Sequence, residues 1–175
     1  ADLSSQTAIR QLAEDIKSRY THLDVLINNA GVFMLKRELT VDGVETTFAV
    51  NHLAPFLLTN LLLDLLKASA PSRIIQVCSD SHVNAKLDMD NLQGEQKYNV
   101  WSAYGQSKLA ELLCTYELAR RLEGTGVTVN ALHPGFVATS IGMNNVGGIG
   151  RAVAKRLLTL VGTSPEEGAK TSLYL

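Results

Sequence analysis

Three short apolar runs constrain the fold of this chain more than anything else in it. They are VLINNAG at 25–31, RIIQVCS at 73–79 and VTVNAL at 127–132. Each reads as a buried strand, and the first ends in an Asn-Gly exit loop. Pro71-Ser72 precedes the second run, and Ser79-Asp80-Ser81 closes it. His133-Pro134-Gly135 follows the third. Amphipathic helical segments separate the runs. Apolar strands alternating with such helices predict an α/β fold, a parallel sheet covered by helices on both faces.

The helices carry their own start signals. Ser4 or Ser5 can cap a first helix with Ile9, Leu12, Ala13, Ile16 and Tyr20 on one face. A second is expected to start at DGVE, with Asp42 as cap and Glu45 three residues on, and to run to about Lys67. Pro55 lies inside it and predicts a kink near Asn51, because proline cannot donate its backbone hydrogen bond. A polar segment from Asp80 to about Ser102 leads into a helix from Ala103 to about Glu123, closed by Gly124. The glycine-rich residues 140–150 read as a mobile loop, and RAVAKRLLTLV as a helix. Ser164, Pro165 and Glu167 open a last helix in capping-box order. No repeat or linker divides residues 1–175, so a single domain is expected. Three strands make a thin sheet. The chain opens almost directly into a helix and ends mid-pattern at Leu175, so it reads as a piece of a larger domain.

Composition narrows the function. A net charge of -1 offers no case for a nucleic-acid or anionic-membrane partner. Cys78 and Cys114 make no metal-ligand spacing and no disulfide framework, and read as reduced thiols of a cytoplasmic protein. The polar N-terminal residues show no signal peptide. FLLTNLLLDLLK is too short and too polar to span a bilayer. His22, His52, His82 and His133 lie on different elements, so no metal site is expected.

In open α/β sheets, ligands bind beyond the carboxyl ends of the strands. The polar residues follow that rule. Asn28, Asn29, Ala30 and Gly31 leave the first strand, Ser79 to Ser81 the second, and His133 to Thr139 the third. Tyr104 and Lys108, four residues apart, share one helix face. Five elements in this order, NNAG, NHLAPFLLT, IIQVCS, YGQSK and HPGFVAT, resemble the short-chain dehydrogenase/reductase family. NLQGEQKYN and the stretch from Lys108 to Gly135 look most like its retinol-dehydrogenase-like branch, which includes relatives fused to WW domains. The resemblance implies a Rossmann-like, NAD(P)-binding domain that interconverts an alcohol and a carbonyl.

That chemistry needs a hydride carrier and a proton donor for the developing alkoxide. The resemblance makes Tyr104 the acid/base. A phenol near pKa 10 is a poor base at neutrality, and a neighbouring ammonium favours its phenolate. Lys108 is placed to supply that charge and, by resemblance, holds the nicotinamide ribose. Ser79 is expected to orient the substrate oxygen, with Ser81 as the alternative. The plainer role for Ser79 is to satisfy its own loop backbone. Asn51 is expected in a proton relay to Lys108, or bonding the carbonyls that Pro55 frees. Asn28, Ala30 and Gly31 would line the adenosine side, and Pro134, Gly135, Val137 and Thr139 the nicotinamide and its phosphate. For Gly31 and the Pro-Gly pair, a tight turn is the plainer role. Asp2 matches the family's adenine-side aspartate, or is only a cap.

One departure stands out. The family holds the dinucleotide phosphates on a glycine-rich turn after its first strand. No such turn precedes NNAG, and the glycines of NNVGGIG follow the third strand. The first strands and the phosphate loop are therefore read as missing. The chain alone is expected neither to bind cofactor well nor to fold robustly. Branch resemblance leans to NADP over NAD and to a lipophilic alcohol, aldehyde or ketone. The family resemblance implies dimer faces on helices 44–67 and 103–123, although the branch is not uniformly dimeric, so a homodimer is one expectation. Two other readings remain: a non-catalytic dinucleotide-fold module, and a serine hydrolase built on Ser79 with His82 or His133. The hydrolase lacks a G-x-S-x-G elbow and leaves the Tyr-Lys pair unexplained.

Overall fold

The computed structural model of the chain describes residues 1–137, 141 and 162–175. Its described strands are β1 (Val25–Asn28), β2 (Ser72–Val77) and β3 (Val127–Leu132). They form one sheet in the order β1-β2-β3, with both pairs parallel. Asn28 aligns with Gln76, and Val77 with Leu132, so all three strands end along one edge.

One sheet face carries the main core. Ile74, Val127 and Val129 pack against Ile9 and Ala13 of α1 (Gln6–Arg19) and against Leu58, Leu62 and Leu66 of α3 (Ala54–Ala68). Leu122, at the end of α4 (Val100–Arg121), closes the same cluster. Side chains alternate across a strand, so Ile27 and its register partner Ile75 point to the opposite face. Ile75 is fully buried there while Ile27 is 41% exposed. Among the described residues, β1 pairs on one side only.

Ser5 caps α1, its Oγ accepting from Ala8 N–H. Asp42 does not cap the second helix. Its carboxylate accepts from Gln6 N–H at 2.8 Å and so supports the start of α1. Glu45 takes the capping role instead. Its carboxylate accepts from Thr47 and Phe48 N–H at the start of α2 (Thr46–Phe48). The expected kink is a π-helical segment, Ala49–Leu53, between α2 and α3. Ala54 N–H reaches back five residues to Ala49 C=O, the wider spacing adopted just before Pro55.

The rod Thr46–Ala68 is 23 residues, longer than the FLLTNLLLDLLK run. By length and composition it could cross a membrane, yet over half of its most apolar window is buried in the fold. α4 begins at Val100, three residues before the expected start, because Asn99 caps it by accepting from Ser102 N–H. The last helix, α5 (Pro165–Tyr174), has Ser164 as its cap, as its sequence predicts. The segment at 140–150, apart from Ile141, and the predicted helix at 151–161 lie outside the described residues.

The polar segment before α4 is tied down at several points. Tyr98 Oη donates to Met34 C=O at 2.8 Å, and Arg37 Nε to Gln93 C=O at 2.8 Å. The two loops thus brace each other above the sheet edge.

Candidate active site

α4 places Tyr104 and Lys108 one turn apart on its sheet-facing side. Tyr104 is half-buried, with the Phe33 ring edge-on at 5.3 Å. Phe33 also meets Trp101 edge-on at 4.9 Å. Lys108 is 3% exposed. Its ammonium donates to Val77 C=O at 2.9 Å and to Glu111 Oε2 at 2.8 Å. Among the described residues no hydrogen bond joins it to the Tyr104 hydroxyl. The spacing therefore puts the pair on one face, while the lysine charge is directed at the end of β2 and at Glu111.

Asn51 is fully buried in the π-helical segment. Its Oδ1 accepts from Val32 N–H at 2.7 Å. Its Nδ2 donates to Val32 C=O and to Ser107 Oγ, both at 3.0 Å. Ser107 Oγ in turn donates to Tyr104 C=O at 2.8 Å. The Asn51 side chain thus does not take the helix carbonyls near Pro55. It brackets the β1 exit loop to the Tyr104 turn.

Ser79, just beyond β2, is half-buried and occupied locally. Its Oγ accepts from Ser81 N–H at 3.2 Å and donates to Ser81 Oγ at 3.1 Å. It shares no hydrogen bond with Tyr104 among the described residues. The close approach of α4 to this loop is at the next residue of the helix. Gly105 packs so tightly on the turn after Ser79 that an added Cβ would lie 3.1 Å from Ser81 C=O and 3.1 Å from Ala85 Cβ. His82 bonds the Ser79 carbonyl rather than its hydroxyl, and His133 faces Asp80 at 3.7 Å. No serine–histidine hydrogen bond of a hydrolase forms among these residues.

Of the other candidate residues, Asn28 ends β1, Ala30 and Gly31 follow it, and Pro134, Gly135 and Val137 follow β3. Asn28 Nδ2 donates to Thr59 Oγ1 at 3.0 Å, so that side chain anchors the end of β1 to α3. Ala30 is exposed, and Gly31 half-buried. Gly31 has no left-handed φ, and an added Cβ would find only ordinary contacts, the nearer with Asn51 Oδ1 at 3.6 Å. Backbone freedom is therefore not its reason for being glycine. Gly135 does take a left-handed φ of 79°, as the Pro134-Gly135 turn requires. Val137 bridges to Thr163, and the helix α5 approaches it so closely that a Cβ on Gly168 would lie 2.5 Å from Val137 Cγ2. Thr139 lies outside the described residues. The Asp2 carboxylate accepts from Ser4 N–H and Oγ, which hold it below its ordinary pKa.

Glu111 and Ser107 were not singled out by the motif. Glu111 is 4% exposed, and burial raises its pKa against the opposing pull of Lys108. Burial also raises the Cys78 thiol, with Glu111 adding to the effect. The available signal was a carboxylate inside the apolar run KLAELL, three residues after Lys108. A cleft of about 1060 Å³ adjoins this region, lined in part by Ser81, Tyr98, Trp101 and Gln106. Tyr104, Lys108 and Asn51 do not line it.

The chain is similar to known proteins in sequence and in fold. Retinol dehydrogenase 14 of Mus musculus is 48% identical over 175 residues, covering 99% of this chain and 52% of its own length. Retinol dehydrogenase 13 of Homo sapiens is 50% identical over 179 residues, covering 99% and 54%. The chain thus spans about half the length of the curated relatives it matches. A Serratia marcescens short-chain dehydrogenase/reductase variant superposes with a TM-score of 0.69 at 28% identity, covering 100% of this chain and 66% of that one. The NADPH-bound carbonyl reductase from chicken fatty liver superposes at 0.62 with 26% identity, covering 81% and 58%. The short chain dehydrogenase family profile matches residues 1–147. With that match and the parallel sheet, the chain belongs to the short-chain dehydrogenase family.

Proposed function

We propose that this chain carries the acid/base half of an NAD(P)-dependent oxidoreductase that interconverts an alcohol and a carbonyl. The observation that carries the reading is the bracket Asn51–Ser107–Tyr104, set beside the buried Lys108 ammonium at the strand ends. It fixes the Tyr104 turn against the loop leaving β1, so the phenol projects from a rigid base. In the proposed reaction Tyr104 Oη gives its proton to the developing alkoxide, or takes it in the oxidative direction. Ser79 Oγ exchanges its bond to Ser81 for one to the substrate oxygen.

A nicotinamide dinucleotide, when bound, supplies or accepts the hydride. The residues present fit the nicotinamide-ribose end of such a group. Among the described residues two N–H donors of Lys108 are engaged, at Val77 and Glu111, which leaves its third for a ribose hydroxyl. Asn28, Ala30, Gly31 and the Pro134–Val137 turn would line the remainder, with Asp2 toward the adenine. We favour NADP, because the carbonyl reductase above is NADPH-bound. The names of the retinol dehydrogenase relatives favour a lipophilic alcohol or aldehyde. Exposed Phe56 on one helix face and Leu113 and Tyr116 on the other support a homodimer through 44–67 and 103–123.

The test is Tyr104→Phe in the full-length gene product, followed by nicotinamide absorbance with aliphatic and polyene aldehydes. Turnover should fall by about 10²–10⁴-fold, with NADPH affinity nearly unchanged. Near-normal turnover in the variant refutes the assignment.

A further inference from the structure

We infer that Glu111 is a positioning residue for Lys108: its carboxylate holds the ammonium at the carboxyl end of β2, where the cofactor ribose is to be gripped. The inference rests on the function proposed above. Tyr104, Lys108 and Glu111 follow one another at spacings of four and three along α4, so all three share a face. The Lys108–Glu111 contact is 2.8 Å, and both side chains are 4% exposed.

The chain has comparable helical pairs at Glu14–Lys17, Glu117–Arg120 and Glu167–Lys170, and all of them are exposed. Such pairs stabilise a helix only slightly. The Lys108–Glu111 pair alone among these is buried. There, desolvation offsets most of the Coulomb gain, and apolar replacements are often no less stable. Stability is therefore a poor reason for this pair, and location is a better one. Lys108 has four rotatable side-chain bonds. Val77 C=O gives its ammonium one fixed point, and Glu111 gives the second. Two points leave the third N–H with a defined direction. Cys78, just beyond β2, adds to the packing, its Sγ donating to Lys108 C=O at 3.2 Å.

Remove the charge of Glu111, and the ammonium loses both its counter-ion and its second anchor of full strength. The experiment is a double-variant cycle in the full-length protein. NADPH affinity is read by nucleotide fluorescence and melting temperature in parallel. Glu111→Gln, which keeps the acceptor oxygen and loses the charge, should weaken NADPH binding about tenfold. Glu111→Asp, one methylene shorter, supplies a second variant with the charge retained, and should fall between Gln and wild type. Lys108→Met should weaken binding further. Adding Glu111→Gln to Lys108→Met should then cost nothing more, within about twofold, because Glu111 acts through Lys108.

A purely structural Glu111 would lower the melting temperature and leave NADPH affinity alone. That result overturns the inference, as does an additive loss in the double variant. If the wild-type protein binds no nicotinamide nucleotide, the function proposed above fails and this inference with it. If the wild type binds and Glu111→Gln is unaffected, only this inference fails.

Discussion

Asn51→Leu tests the bracket that carries the site. The substitution preserves side-chain size closely and removes three hydrogen bonds, two to Val32 backbone and one to Ser107 Oγ. Ser107 keeps Tyr104 C=O as an acceptor, so its loss is the smallest. A buried backbone group left without a partner costs about 1–3 kcal/mol. Val32 is half-buried, so water recovers part of that cost for its N–H and C=O. The buried leucine returns about 1–2 kcal/mol of apolar transfer. The net loss is about 2–4 kcal/mol, a large share of the ~5–15 kcal/mol typical of a domain. Urea unfolding of the full-length protein reads it as a lower midpoint at an unchanged slope. Ser107→Ala is the control. Asn51 Nδ2 retains Val32 C=O there, so the loss should be about 1 kcal/mol. A loss below ~1 kcal/mol for Asn51→Leu, or equal losses for the two variants, would refute the bracket.

Two further perturbations probe the surroundings of the site. Burial lowers His52 from 6.5 to about 4, with the Phe48 ring 5.0 Å away. The unfolded chain binds this proton below about 6.5 and the folded chain only near 4, so stability present at neutral pH is lost on acidification through that window. The loss should be about 2 kcal/mol at pH 5 and about 3 kcal/mol by pH 4. His52→Gln should flatten the acid limb of urea midpoints by that amount; parallel limbs for the two proteins would show the histidine to be uncoupled from folding. Tyr98→Phe removes the bonds to Met34 C=O and Glu45 Oε1, at 2.8 and 3.3 Å. It should cost about 1–2 kcal/mol and speed proteolytic nicking between 91 and 98, read by mass spectrometry. Unchanged nicking there would mean that Arg37 and Gln93 hold the segment without it.

The strands and most caps were legible because the forces that set them are local. Apolar runs ending in Asn-Gly, Ser-Asp and His-Pro-Gly fall where β1, β2 and β3 end, and Ser164 needed only Glu167 N–H within reach. The role of Asp42 is not legible locally because its partner, Gln6 N–H, lies 36 residues away. Nothing in DGVE announces a helix start from another part of the chain. With Asp42 so engaged, Glu45 became the nearest carboxylate to the orphan N–H groups of α2.

The candidate site divides the same way. Tyr104 and Lys108 share a helix face by spacing alone, so their juxtaposition was readable. The direction of the ammonium was not, because it depends on which acceptors are buried with it. Glu111 was visible as an i+3 partner, but a sequence cannot say that both side chains end up 4% exposed. In water that pairing would contribute little; inside the fold it decides where a positive charge points. The Asn51 bracket was hidden for a different reason. It spans 19 residues to Val32 and 56 to Ser107, and exists only once the sheet has brought the three segments to one edge. The Tyr-Lys spacing is thus the part of the proposed chemistry that the sequence exposes. The long-range asparagine and the buried glutamate supply its fixed geometry, so in the proposed site substitutions at these two positions should impair function while YGQSK stays intact.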